Sequence, residues 1–166
     1  MISFRIVSAL ALSAAAAVGA RAAGLPEGLS APGDAVVLEA HAVGAQIYEC
    51  KASAGSQPTW QFREPIASLL RDGTTVGRHY AGPAWEIGGS TVLGTVVARA
   101  PGASAKDVPW LRLEVASRAG DGPLREATAV ERINTSGGNF AGGCDKIGEL
   151  HAEPYSADYV FVRSAP

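Results

Sequence analysis

Trp110-Leu111-Arg112-Leu113-Glu114-Val115-Ala116-Ser117 is the clearest alternation in the chain, with Leu111, Leu113 and Val115 on one side and Arg112, Glu114 and Ser117 largely on the other. Successive side chains of an extended strand point to opposite faces, so this stretch predicts a half-buried strand, one face on a core and the other in water. The same grammar runs outward in both directions. Upstream, Thr91 to Ala100 is rich in β-branched residues, Ala84 to Ile87 is short and apolar, and Val76 to Tyr80 follows an Asp72-Gly73 hairpin signal after Ile66 to Arg71. Trp60 to Glu64 places Trp60 and Phe62 opposite Gln61 and Arg63. Val36 to His41 and Gln46 to Ala52 read as two strands joined by a tight connection at Val43-Gly44.

Downstream, Ala127 to Asn134 is a strand with poor alternation, and the nearly continuous apolar run within Tyr155 to Arg163 predicts a strand covered on both faces. Between them, Thr135 to Gly148 is glycine-rich and reads as a long loop. No amphipathic helical period appears after the first twenty-odd residues. The expected fold class is therefore mainly β, a single antiparallel β-sandwich or barrel-like domain with long loops, preceded by a cleaved signal helix.

That leader is predicted from Arg5, the apolar run Ile6 to Ala20, and the small-x-small sequence Ala20-Arg21-Ala22, with cleavage after Ala22. The apolar run is shorter than the roughly 18 residues a membrane-spanning helix needs. The expected organisation is a signal peptide over 1–22 and one β-rich domain over 23–166, with no transmembrane segment in the mature chain. Arg5 and Arg21 leave with the leader, so the mature chain carries twelve basic against sixteen acidic side chains, a net charge of about −4. Its cations are scattered among acids, which argues against nucleic acid as a partner. Cys50 and Cys144 are the only thiols and form no metal-ligand or redox spacing, so an oxidising compartment is expected to join them. The expected location is extracytoplasmic, in the periplasm or secreted.

The densest run of chemistry is Gly77-Arg78-His79-Tyr80-Ala81-Gly82-Pro83-Ala84-Trp85-Glu86. His79 could act as an acid, a base or a ligand, with Glu86 or Asp158 as its carboxylate partner, which makes these three the catalytic candidates. Arg78, His79, Tyr80 and Trp85 are the ligand-binding candidates, because Trp85 and Tyr80 could stack on a flat apolar face. The competing reading gives Trp85 to the core and His79 to a buried carbonyl. His41, His79 and His151 lie on different elements with no ligand spacing, so no metal site is expected. The glycines Gly137, Gly138, Gly142 and Gly143 precede no helix, and no cofactor is expected. A G-x-S-x-G nucleophile motif is absent.

Val37-Leu38-Glu39, Ile47-Tyr48-Glu49-Cys50, Trp60-Gln61-Phe62, Gly77 to Trp85, Val108-Pro109-Trp110-Leu111 and Tyr155-Ser156-Ala157-Asp158-Tyr159-Val160-Phe161 occur in this order. Together they resemble a family of secreted bacterial and fungal proteins catalogued as domain of unknown function 3455, over about Leu25 to Arg163. The resemblance implies export and a single domain, and it assigns no activity. The functional expectation is a noncatalytic module that binds a small ligand, a glycan or an envelope partner through aromatic side chains near Arg78 to Glu86. Two alternatives stand beside it: a small secreted enzyme using His79, and a structural envelope or stress protein.

Overall fold

Eight strands, each hydrogen-bonded antiparallel to its neighbours in sequence, close into a ring when the last pairs with the first. The computed structural model describes residues 24–165, and the leader expected over 1–22 lies outside them. The strands are β1 (Ala35–Ser53), β2 (Ser56–Arg71), β3 (Thr74–Tyr80), β4 (Ala84–Ile87), β5 (Ser90–Ala100), β6 (Trp110–Ala119), β7 (Ala129–Gly137) and β8 (Leu150–Arg163). Closure removes the unpaired edges that an open sheet would expose. The β-rich expectation holds, and of its two architectures the barrel is the one formed. No helix among the described residues is long and apolar enough to cross a membrane.

Alternation sorts the residues into an inside and an outside. Leu38, Ala40, Ala42, Ala67, Leu69, Trp85, Ile87, Val92, Leu111, Leu113, Val130, Ala157, Tyr159 and Phe161 belong to one buried cluster. The connection between β6 and β7 folds over one end of the barrel and adds Leu124 and Ala127 to that cluster. The Leu124 N–H donates to Ser90 Oγ, and Ser90 Oγ–H donates to the Ile87 carbonyl, which fixes this plug to the β4–β5 turn.

Two local expectations are corrected. Val43-Gly44 is not a turn: β1 continues through it, with Val43, Gly44 and Ala45 paired to Ser68, Ala67 and Ile66. Glycine is required there for proximity, since a Cβ would collide with the Ile66 carbonyl oxygen and come within 2.6 Å of Ala67 Cα. Arg112 does not meet water. It points outward, but the segment before β1 covers it, and its guanidinium reaches Asp34 at 2.7 Å, Glu131 at 3.1 Å and the Leu29 carbonyl. Burial alone would raise the Asp34 carboxyl. Hydrogen bonds from Arg112, the Ala31 N–H and Ser164, with the Arg112 charge, outweigh it and hold Asp34 below the ordinary carboxylate range.

The same covering explains why β7 and β8 alternate poorly. Ala129, Ile133, Val160 and Val162 form a second buried cluster, with Leu25 and Trp110 packed against it. A strand buried on both faces loses the polar half of its pattern.

Candidate functional site

The end of the barrel opposite the Leu124 plug is not filled by side chains. A cavity of about 500 Å³ lies there, lined by residues of all eight strands and of the connections between β3 and β4, β5 and β6, and β7 and β8. An eight-stranded barrel has an interior just wide enough to be filled by side chains or to hold one small ligand. Here the two solutions occupy opposite ends of one barrel.

Local structure explains which side chains line the cavity. On β2 the register slips between the Ile47–Glu64 and Tyr48–Phe62 pairs, leaving Arg63 as an extra residue. Such a bulge shifts the strand's parity, so Phe62 joins Pro65 on the cavity wall instead of alternating away from it. Gly94 gives Trp85 its place, since a Cβ there would sit 3.1 Å from the indole Cζ3 and 3.0 Å from Leu113 Cβ.

His79 and Trp85 are a cross-strand pair on β3 and β4, and both line the cavity. Their rings stack at 4.6 Å with an interplanar angle of 8°, and Tyr159 packs beside both. His79 Nδ1 lies 2.8 Å from the Ala84 carbonyl oxygen. A carbonyl only accepts, so Nδ1 carries the proton and Nε2 is the unprotonated nitrogen of the neutral ring. Burial drives the imidazole pKa down, the bond to Ala84 partly opposes this, and the positive charge of Arg132 adds to the lowering, which together place it at about 4. Burial likewise pushes the Tyr155 and Tyr159 phenols far up.

The remaining sequence candidates lie elsewhere. Arg78 and Glu86, adjacent to His79 and Trp85 in sequence, face outward and bond to each other at 2.8 Å, while the Arg78 guanidinium sits 5.0 Å from the centre of the Tyr80 ring. Asp158 accepts from Asn134 and lies 2.7 Å from His41 Nδ1. The candidate segment thus divides across the barrel wall, with His79 and Trp85 inside and Arg78, Tyr80 and Glu86 outside. The bonds His79 makes do not include one to Glu86 or Asp158.

The cavity contains residues that the sequence reading passed over. Gln46 and Tyr48 share the inward parity of Leu38, Ala40 and Ala42, and Arg132 shares that of Val130. Their parity was the available signal, obscured for β1 by reading Val43-Gly44 as a turn. Arg99 and Arg132 flank Leu111 across adjacent strands. Arg132 donates through Nε and Nη2 to the Pro109 carbonyl at 3.0 and 2.9 Å. The buried Gln46 Nε2 and Trp85 Nε1 have no hydrogen-bond partner of good geometry.

The loop between β7 and β8 lies beside the mouth. Tyr48 donates its hydroxyl to the Gly138 carbonyl at 2.7 Å and accepts the Phe140 N–H at 3.2 Å. Cys144 is bonded to Cys50, as the cysteine count predicts. Around this tether Trp60, Phe140 and His151 pack together, with Phe140 stacked on His151 at 3.9 Å. Among the described residues, no group of three or more histidine, cysteine, aspartate or glutamate side chains converges to hold a metal ion.

No curated protein and no solved structure matches this chain. A family model described as protein of unknown function (DUF3455) matches residues 31–75 and 70–163, which takes in every strand of the barrel from the segment before β1 to the end of β8. By that match, the chain belongs to the DUF3455 family.

Proposed function

We propose that this protein is a noncatalytic binding module that takes a small, largely apolar ligand into the open end of its barrel, and that it works outside the cytosol. The observation that carries this reading is the cavity itself. Its volume of about 500 Å³ falls within the roughly 300–1,000 Å³ typical of small-molecule sites. Val96, Val108, Pro109, Leu111 and Leu113 supply an apolar wall, and Trp85, Tyr48 and Phe62 supply aromatic faces. Such a wall suits an apolar body better than a glycan, whose hydroxyls would need many paired donors and acceptors. The Cys50–Cys144 bond supports an oxidising compartment. His79 is neutral, bonded to a backbone carbonyl and stacked on an indole, which supports a wall residue more than an acid or base.

The test is titration with N-phenyl-1-naphthylamine, a neutral dye that brightens in apolar surroundings. About one molecule should bind per chain, and Val96→Phe, which places a ring in the cavity, should weaken binding by about tenfold or more. The reading fails if the folded protein does not bind the dye up to its solubility limit. It also fails if folded V96F binds the dye as well as the parent chain.

A further inference from the structure

The charged residues around the cavity have one sign. Arg63, Arg99 and Arg132 line it, and neither an aspartate nor a glutamate does. Such a bias runs against the chain's overall acidic balance, so it is not a sample of the surface composition. Arg63 has a neighbour to neutralise it, Glu64 at 3.1 Å. The ion pairs of the described residues also engage Arg78, Arg112 and Arg163, but neither Arg99 nor Arg132.

Arg132 is the more telling of the two. It is half-buried, and a guanidinium withdrawn from water without a carboxylate is costly unless another anion or a set of acceptors meets it. The Pro109 carbonyl takes two of its N–H groups and the Tyr159 hydroxyl is a further neighbour, both of them neutral, so the five donors of the guanidinium are not used up and its charge is not neutralised. Its charge reaches into the cavity strongly enough to help depress the His79 imidazole. The Gln46 amide and the Trp85 indole, each at least nine-tenths buried, line the same wall beside the Tyr155 and Tyr159 hydroxyls, and neither Gln46 Nε2 nor Trp85 Nε1 makes a hydrogen bond of good geometry. Buried donors in native proteins are nearly always well satisfied, so donors held this loosely at one cavity favour a ligand that brings acceptors.

We propose that the ligand is a small anionic amphiphile, its charged head held by Arg99 and Arg132 on either side of Leu111 and its apolar body against Val96, Leu113 and Phe62. This rests on the ligand-binding reading above and adds the head-group class to it. A guanidinium presents a planar fork that matches the two oxygens of a carboxylate, and inside a cavity of lowered dielectric that pairing is stronger than in water. Gln46 and Trp85 can serve the remaining lone pairs. An amine head would meet two unneutralised cations, and a neutral alcohol would leave them unpaired.

The test compares three probes of one chain length, decanoate, decanol and decylamine, by competition with the neutral dye near neutral pH and below their aggregation limits. Decanoate should bind at least about tenfold more tightly than decanol, and decylamine most weakly. Arg99→Gln, at an exposed position where folding is not at risk, should bring the decanoate-to-decanol ratio down severalfold. Arg132→Gln should bring it close to one, with Arg132→Lys keeping part of it. If the dye binds but decanoate shows no advantage over decanol, or if R99Q and folded R132Q both leave the ratio unchanged, the head-group inference is wrong while the ligand-binding reading survives. If neither the dye nor any probe binds, both fall together.

Discussion

The two ends of the barrel are built from the same alternation yet held in different ways. At the plugged end, Leu38, Leu69, Ile87, Val92, Leu124 and Phe161 are all almost completely buried, and stability there comes from apolar area removed from water. At the open end the inward positions go to Gln46, Tyr48, Phe62 and Arg132, around space that no side chain fills. Giving up burial must be offset, and the offsets are visible. The Cys50–Cys144 bond, the two hydrogen bonds of the Tyr48 hydroxyl, and the backbone bonds from Cys144 to Pro58 and from Gly148 to Cys50 all hold the β7–β8 loop to the ends of β1 and β2. Packing closes one end, and a tether braces the other.

The sharpest way to break this contrast is to cut the tether. The two cysteines are separated by 94 residues, and in the chain-entropy picture removing a link of that span costs about 4–5 kcal/mol less any relief of strain. A Cys50→Ser, Cys144→Ser double variant should lose stability of that order in denaturant unfolding. Hydrogen exchange locates the effect. Amides of Cys144 and Gly148 should accelerate beyond the global loss, whereas that of Leu124, in the plug, should follow the global loss alone. Uniform acceleration at both ends would show that the tether does not serve the open end in particular.

Next in size is a matched pair of truncations. Phe161 is fully buried against Trp85, while Phe62 is 52% exposed at the cavity wall. Phe161→Ala should cost about 3–5 kcal/mol of unfolding free energy. Phe62→Ala should cost less than about 1 kcal/mol, because it opens onto existing space, but it should weaken dye binding. Equal destabilisation would mean that the open end is as much a part of the core as the plug.

How much of this contrast was legible in the sequence differs between the ends. Leu111 and Leu113 declare their strand because one face is apolar and the other polar, and the same holds for most of the plugged end. The disulfide was legible because only two thiols exist. Arg112 was misplaced because the segment before β1 covers an outer face, and a sequence period cannot show that a second layer lies over a strand. Gly44 was read as a turn because a glycine admitting a close neighbour looks, in one dimension, like a glycine reversing the chain. In the cavity, the wall combines Phe62, Arg99, Arg132 and Tyr159, which lie on four strands and come together only through ring closure and the bulge at Arg63. His79 and Trp85 were recognised, while Arg78 and Glu86 accompany them in sequence and part from them at the pleat.

His79 offers the smallest and most selective probe, because it lies on the cavity wall between the two regimes. Its folded pKa of about 4 lies below the ordinary value of 6.5, so between those limits the unfolded chain binds a proton that the folded chain refuses. The stability conferred by keeping this ring neutral is complete above about pH 6.5 and is lost progressively as the pH falls toward 4, a total of roughly 3 kcal/mol at 1.36 kcal/mol per unit. Asp34 titrates in a different window. Its lowered carboxyl contributes stability that is present above its ordinary value of 3.8 and is lost only below it, so the two slopes separate. In a denaturant series from neutral pH to pH 4, the parent chain should weaken steadily and His79→Gln should be nearly flat, whatever its stability at neutral pH. The variant amide can still donate to the Ala84 carbonyl but has no proton to take up. A slope that persists undiminished in His79→Gln would assign the acid sensitivity to another group and remove His79 from the buried, neutral role its stacking on Trp85 implies.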